Sequence, residues 1–199
     1  MRINVIPMNM LADQHLFAEF REIKMLPKSL LRSWNAKKGI DYSKISKHYT
    51  LNTGHGYFFY DKLNYIFKRF NQLSIECLDR GYNLSDESLE IINPFLDDFF
   101  YTDYTPTVEA QLLNLDRIIL NINKKAIWYK YKGTPMNWNS FYIHYIKTIC
   151  DITDTTLITK KIPIIYDLVQ KELEPKNETT NLNDIEVYFD FNDIKKFYN

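Results

Sequence analysis

The residues best equipped for chemistry lie close to the start of the chain, in LADQHLFAEFRE (residues 11–22), shortly after Met1-Arg2. If this stretch is helical, His15 and Glu22 stand close to two full turns apart and project from one side. Gln14 and Arg21 repeat that spacing on the adjacent stripe. A carboxylate, an imidazole, an amide and a guanidinium gathered on one polar side could flank a sugar-phosphate substrate. A solvated helix face has the same pattern, and spacing alone leaves both readings open. The segment Trp128-Tyr129-Lys130-Tyr131-Lys132-Gly133 is the second candidate. Rings alternating with lysines suit a strand or loop laid against nucleic acid, with cations on phosphates and rings against sugars or bases. Core aromatics flanked by solvated lysines are the equal alternative.

The elements that must position these groups read as helices. Asn9 is the expected N-cap of a first helix running to about Asn35, with Pro27 as a kink or break. Residues 37–56 read as a loop-rich connection punctuated by Gly39, Gly54 and Gly56. A second helix is expected over residues 57–80, ended by Gly81, and a third over about residues 107–124. Acidic, aromatic residues 86–106 read as irregular. Residues 138–151 and 162–173 suit short helices, and the Asn-rich stretch 174–184 suits a linker or disorder.

At 199 residues the chain can bury a real core. Its Lys+Arg and Asp+Glu totals balance at 25 each, but unevenly along the chain. Residues 1–133 hold 18 basic and 15 acidic side chains, whereas residues 134–199 hold 7 and 10. The excess is greatest in residues 1–83, with 13 basic against 7 acidic, which is compatible with a polyanionic partner. Only Cys77 and Cys150 occur, far apart, so a zinc site is not expected. No secretory leader or membrane span is expected either, which points to an intracellular protein of cytoplasm or nucleus, not secreted. Heavy use of Asn, Ile, Lys and Tyr is compatible with an AT-rich, viral coding genome.

Four blocks now fall in one order and spacing: LADQHLFAEFRE, Phe58-Phe59-Tyr60-Asp61-Lys62, Glu76 to Asn83, and WYKYKG. In these the chain resembles the phage endonuclease V type of pyrimidine-dimer DNA glycosylase. The resemblance covers residues 1–133, taken as the glycosylase domain, and leaves residues 134–199 as a C-terminal extension of unknown role. It implies an all-α fold, a compact single-domain bundle of three main helices with loop-rich connections. It also implies a cofactor-free, metal-independent enzyme acting as a monomer on double-stranded DNA that carries a lesion or an abasic site. Such enzymes kink the duplex, extrude the base opposite the lesion, cleave the glycosidic bond of the 5′ pyrimidine, and break the backbone at the abasic sugar by β-elimination.

The nucleophile that the resemblance implies is the α-amine of the chain, attacking C1′ to form an imine. Elementary acid–base chemistry agrees. An α-amine titrates at about 7.7–8.0 and a lysine at about 10.4, so near pH 7 the neutral, attacking fraction is larger by roughly 300-fold. Glu22 matches the family's essential carboxylate, expected to stabilise charge on the sugar and to shuttle protons. Arg2, Gln14, His15, Arg21 and Arg117 fall on family positions at the DNA or the lesion. Trp128, Tyr129 and Lys130 match the DNA-contacting C-terminal segment. His55 falls on a family Gly-His pair and is expected to pack a turn, while His48 matches nothing.

Three departures stand out. Well-known members begin Met-Thr-Arg, lose the Met and use the threonine amine, whereas here Arg2 directly follows Met1. A large residue at position two normally blocks Met removal, so a retained Met1 is expected to supply the nucleophile. A family arginine is replaced by Met25, with Lys24 beside it as a substitute, and a family lysine by Asn121, with Lys124 and Lys125 nearby. Two alternatives remain: a glycosylase for another lesion such as a ring-opened purine, and a catalytically silent DNA-binding protein of the same fold. The acidic extension is expected to pack on the core, cap it, or contact a protein partner.

Overall fold

A computed structural model describes residues 2–84, 98–153, 156, 158 and 162–174. The fold is all-α apart from one minimal hairpin. Its helices are α1 (Asp13–Ile23), α2 (Met25–Trp34), the single turn α3 (His55–Phe58), α4 (Leu63–Asp79), α5 (Val108–Lys124), α6 (Trp138–Ile149) and α7 (Pro163–Leu173). Two-residue strands β1 (Lys130–Tyr131) and β2 (Thr134–Pro135) pair antiparallel around Lys132 and Gly133, both with positive φ, as a tight hairpin turn requires. Among the described residues no helix is long and apolar enough to cross a membrane. The expectation for residues 175–184, and most of the expectation for 86–106, lie outside the described residues.

The first expected helix is two. Asn9 sits in a 3-10 turn instead of capping, and α1 begins after Ala12 with no side-chain cap. The break falls at Lys24, three residues before Pro27, because Pro27 has no N–H for the carbonyl of Ile23 and its ring would press on that carbonyl. The second expected helix is likewise interrupted between α3 and α4. There the Lys62 ammonium donates to the Phe58 carbonyl at 2.8 Å and pairs with Asp61 at 2.6 Å, occupying a carbonyl that a continuous helix would use. The end of α4 follows expectation. Gly81 takes φ +78°, with Tyr82 N donating to Cys77 O and Gly81 N to Leu78 O, a paired C-terminal cap. Thr107 caps α5 through its Oγ1, which accepts from Ala110 N.

The core is organised around the N-terminal segment. Ile3, Val5 and Ile6 are at most 1% exposed, so the extended chain start runs through the interior. Among the described residues no strand flanks it, and side chains take the place of a sheet. Ile3 N donates to His55 Nε2 (2.9 Å), Asn4 N to Glu19 Oε1 (2.9 Å) and Val5 N to Asn114 Oδ1 (2.8 Å). The carbonyls of Ile3, Asn4 and Ile6 accept from Tyr49 OH, Tyr65 OH and Arg69 Nη1. Glu19 on α1 and Arg69 on α4 are both buried and joined by two bonds of 2.9 and 3.0 Å, which ties the segment to the main α1–α4 contact.

Helices α6 and α7 pack on α5 and share its core. Buried Tyr142 donates its hydroxyl to Met10 O (3.1 Å), Tyr145 to Gln111 Oε1, and Trp138 Nε1 to Tyr129 O (3.3 Å). Asp116 on α5 accepts from Ile164 N (2.8 Å) and Ile165 N (3.0 Å), placing a carboxylate at the orphan N–H groups that begin α7.

Two outcomes follow for stability. Glu19→Ala should lower the unfolding free energy by about 3–5 kcal/mol in urea titration, since it strands a buried guanidinium and two Asn4 donors. A loss below about 1 kcal/mol would contradict the packing given to this pair. Truncation after Gly133 should lower Tm and solubility together, because it uncovers the α5 face and leaves Met10 O without its tyrosine. An unchanged Tm would show that α6 and α7 add nothing to the core.

Candidate functional site

The buried segment emerges at Arg2, beside the polar side of α1 and the middle of α5. A narrow cavity opens there, lined by Arg2, Asn4, His15, Ala18, Glu19, Arg117, Ile118 and Asn121. Of the residues expected to act, the structure therefore brings Arg2, His15 and Arg117 to one cavity, from three separate elements. Asn4 fixes one of them. Its Oδ1 accepts from Arg117 Nη2 at 2.6 Å and from Asn114 Nδ2 at 3.0 Å, while its Nδ2 donates to Glu19 Oε2 at 2.6 Å. Sequence reasoning passed over Asn4, Glu19 and Asn114, because a polar residue at an alternating core position looks like any loop residue until the segment is seen to be buried. The cavity volume, about 20 Å³, admits a water-sized group and no nucleobase. It is an anchor point between two cations and does not serve as a base pocket in this conformation.

His15 is the most unusual group. Both ring nitrogens are shielded from solvent and have no hydrogen-bond partner among the described residues. The ring lies against Tyr129, centroids 4.6 Å apart and tilted 31°. Burial first, then the charges of Arg117 and Arg2, lower its pKa to about 4. At neutral pH it is a neutral imidazole between two guanidiniums, and it cannot serve as a cationic phosphate clamp.

The WYKYKG segment is docked beside His15 by α1. Gln14 uses its amide on backbone, donating to Trp128 O at 2.7 Å and accepting from Lys130 N at 3.0 Å. Asp13 accepts from Lys132 N (3.0 Å) and Gly133 N (2.8 Å), and it also binds Arg80, whose buried guanidinium lies over the Tyr131 ring at 4.6 Å. Burial divides the segment by residue. Tyr129 is buried, Tyr131 is partly buried, and Trp128 and Lys130 stay exposed. Gln14 thus has a positioning role in addition to the lesion contact that the resemblance implies.

Glu22 lies on the same face of α1 as His15, seven positions on, half-buried. It is outside the residues that line the cavity. Arg21 beside it is exposed. Lys24 leans over the Phe20 ring at 5.0 Å, and its pKa is lowered by burial and by Lys28 and Arg21. Arg2 and Arg117 line the cavity, and Arg21 and Lys130 are exposed, cationic groups of the kind that hold phosphates. Met1 lies outside the described residues. His48 is exposed and away from the site, and among the described residues no three His, Cys, Asp or Glu side chains gather as a metal site.

Proton-detected titration of the imidazole should give a His15 midpoint near pH 4, far below an ordinary histidine. The lowered folded value means that the unfolded chain binds more protons between about pH 6.5 and 4. Stability contributed by keeping the ring neutral is therefore lost as pH falls through that window, and His15→Gln should flatten the loss. A midpoint near 6.5 would show the ring to be solvated.

The family model described as pyrimidine dimer DNA glycosylase matches residues 1–89. That span holds the buried segment, α1 and α4, with Arg2, Gln14, His15, Arg21, Glu22 and Lys24. It ends before α5 and the hairpin, so Arg117, Asn121 and residues 128–130 join the site from beyond it. By this match, residues 1–89, the part of the chain that carries most of the candidate site, are similar to the pyrimidine dimer DNA glycosylase family.

Proposed function

We propose that the protein excises cyclobutane pyrimidine dimers from double-stranded DNA and then cuts the backbone at the abasic sugar, through an imine to its own α-amine. The observation that carries this reading is the buried segment that ends at Arg2. It leads the chain start to the side where His15, Arg117 and the Glu22 face of α1 converge. In this reading the neutral amine of Met1 attacks C1′ and the bond from C1′ to the pyrimidine nitrogen breaks. The base leaves as its protonated form, the sugar ring opens, and an imine links C1′ to the amine. Loss of a proton from C2′ then expels the 3′ phosphate, and water releases the enzyme.

Glu22 is assigned the proton transfers and the stabilisation of the cationic sugar. Arg2 and Arg117, with Arg21, Lys24 and Lys130, are assigned phosphates around the kink. Trp128 takes the sugar and base side, with buried Tyr129 packed behind it on His15, and His15 and Gln14 take the edge of the lesion. All these groups come from one chain, so the reading is of a monomer. It requires Met1 to be the first residue of the mature protein.

The test is borohydride reduction during incubation with duplex DNA bearing one dimer or one abasic site, using protein whose intact mass confirms Met1. A covalent adduct with both substrates and nicking of the dimer strand are expected. No adduct with either would rule out the imine. An adduct with abasic DNA but no action on dimers would favour another lesion, such as a ring-opened purine. Glu22→Gln should lower strand cleavage by about 10²–10⁴-fold, and an unchanged rate would remove Glu22 from its role.

A further inference from the structure

Ile3 is held on both sides by aromatic rings, one from the loop before α3 and one from the first residue of α3. Its N–H donates to His55 Nε2 at 2.9 Å, and its carbonyl accepts from Tyr49 OH at 3.2 Å. The other nitrogen, His55 Nδ1, lies 2.8 Å from Thr50 O. A carbonyl can only accept, so Nδ1 carries the proton and Nε2 offers its lone pair to Ile3. The two contacts together specify one neutral tautomer. Tyr49 and Phe59 enclose the ring edge-on, with centroids 5.5 and 5.4 Å away, and His55 is only 4% exposed. Burial lowers the pKa of His55, which keeps the lone pair available near neutrality. The loop is shaped for this. A Cβ on Gly54 would stand 2.9 Å from Thr50 Oγ1, and Asn52 takes φ +62°.

From the nitrogen of Ile3 to that of residue 1 there are two residues, at most about 7 Å of chain. Whatever fixes the Ile3 amide therefore fixes the sphere within which the terminal amine moves. We propose that His55 is a positioning residue of the imine-forming site: as the Nδ1–H tautomer it holds the Ile3 amide and so sets the place of the α-amine against the deoxyribose. His55 itself touches no substrate. The proposal rests on the imine reading given above, and it assigns to a buried ring a control over the reactive nitrogen two residues before Ile3.

Two substitutions separate positioning from packing. His55→Gln can present its amide oxygen where Nε2 stood, whereas His55→Leu fills the space without an acceptor. At saturating abasic duplex, the single-turnover rate of borohydride trapping should fall by about 100-fold in His55→Leu, the scale of a misplacement near 1 Å. His55→Gln should stay within about threefold of the unmodified protein, and the Kd for abasic duplex should change far less than the trapping rate in both. Folded His55→Leu that traps at the unmodified rate would overturn the proposal while leaving the imine reading intact. Failure of the unmodified protein to trap would instead sink the imine reading. Nitrogen-15 spectra of the unmodified protein decide the matter if His55→Leu fails to fold. Protonated Nδ1, and a correlation across the hydrogen bond from Ile3 N–H to Nε2, are expected. A proton on Nε2 would overturn the assignment.

Discussion

A terminal segment buried with no neighbouring strand among the described residues is the constraint on which this structure depends. Each of its backbone donors and acceptors is a strong hydrogen-bonding group, and leaving one unmet in the interior costs about 1–3 kcal/mol. A sheet would meet them with other backbone. Here His55, Glu19, Asn114, Tyr49, Tyr65 and Arg69 meet them one by one, from the loop before α3 and from α1, α3, α4 and α5. Side chains impose geometry that backbone pairing does not, since each contact is specific to one register. A slip of the segment by one residue would lose all of them and set Ile3 or Val5 against the polar partners of Asn4.

Such a buried register gives the site its character. The same Asn4 that bonds Glu19 also orients Arg117, so the anchor in the core and the guanidinium at the surface form one network. The buried Glu19–Arg69 pair is costly to desolvate, and an apolar pair of equal volume could serve stability as well. Its value lies in presenting two carboxylate oxygens to Asn4, which no apolar pair can do. On the other side of α1, Asp13 and Gln14 hold the hairpin by its backbone, leaving Trp128 and Lys130 free to face a ligand. His15 lies between these two systems, neutral because its ring is buried and, next, because both flanking charges are positive.

Much of this was legible in the sequence, and the parts that were not share a cause. Apolar periodicity placed α5, α6 and α7 almost to the residue, because each is a local pattern with a local stop. The cap at Gly81 was legible because positive φ selects for glycine. The break at Lys24 was harder to place than Pro27 itself, since a proline disrupts the carbonyl four residues back and the chain adjusts upstream. Polar residues at 4, 19, 69 and 114 could not be grouped at all, because they are brought together only by tertiary packing. Site residues on α1 came from spacing plus a family resemblance. The cavity that joins Arg2, His15 and Arg117 needed the fold. The split between buried Tyr129 and exposed Trp128, neighbours in sequence, also depends on the Gln14 amide and not on residue type.

The proposed function requires the fold to deliver a chain terminus to DNA, and the location of the covalent bond tests that requirement most directly. Protein reduced with borohydride on abasic duplex, digested with nuclease and protease, should carry the deoxyribose remnant on the α-nitrogen of Met1 in tandem mass spectra. A remnant on a lysine side chain, such as Lys24 or Lys130, would contradict the claim.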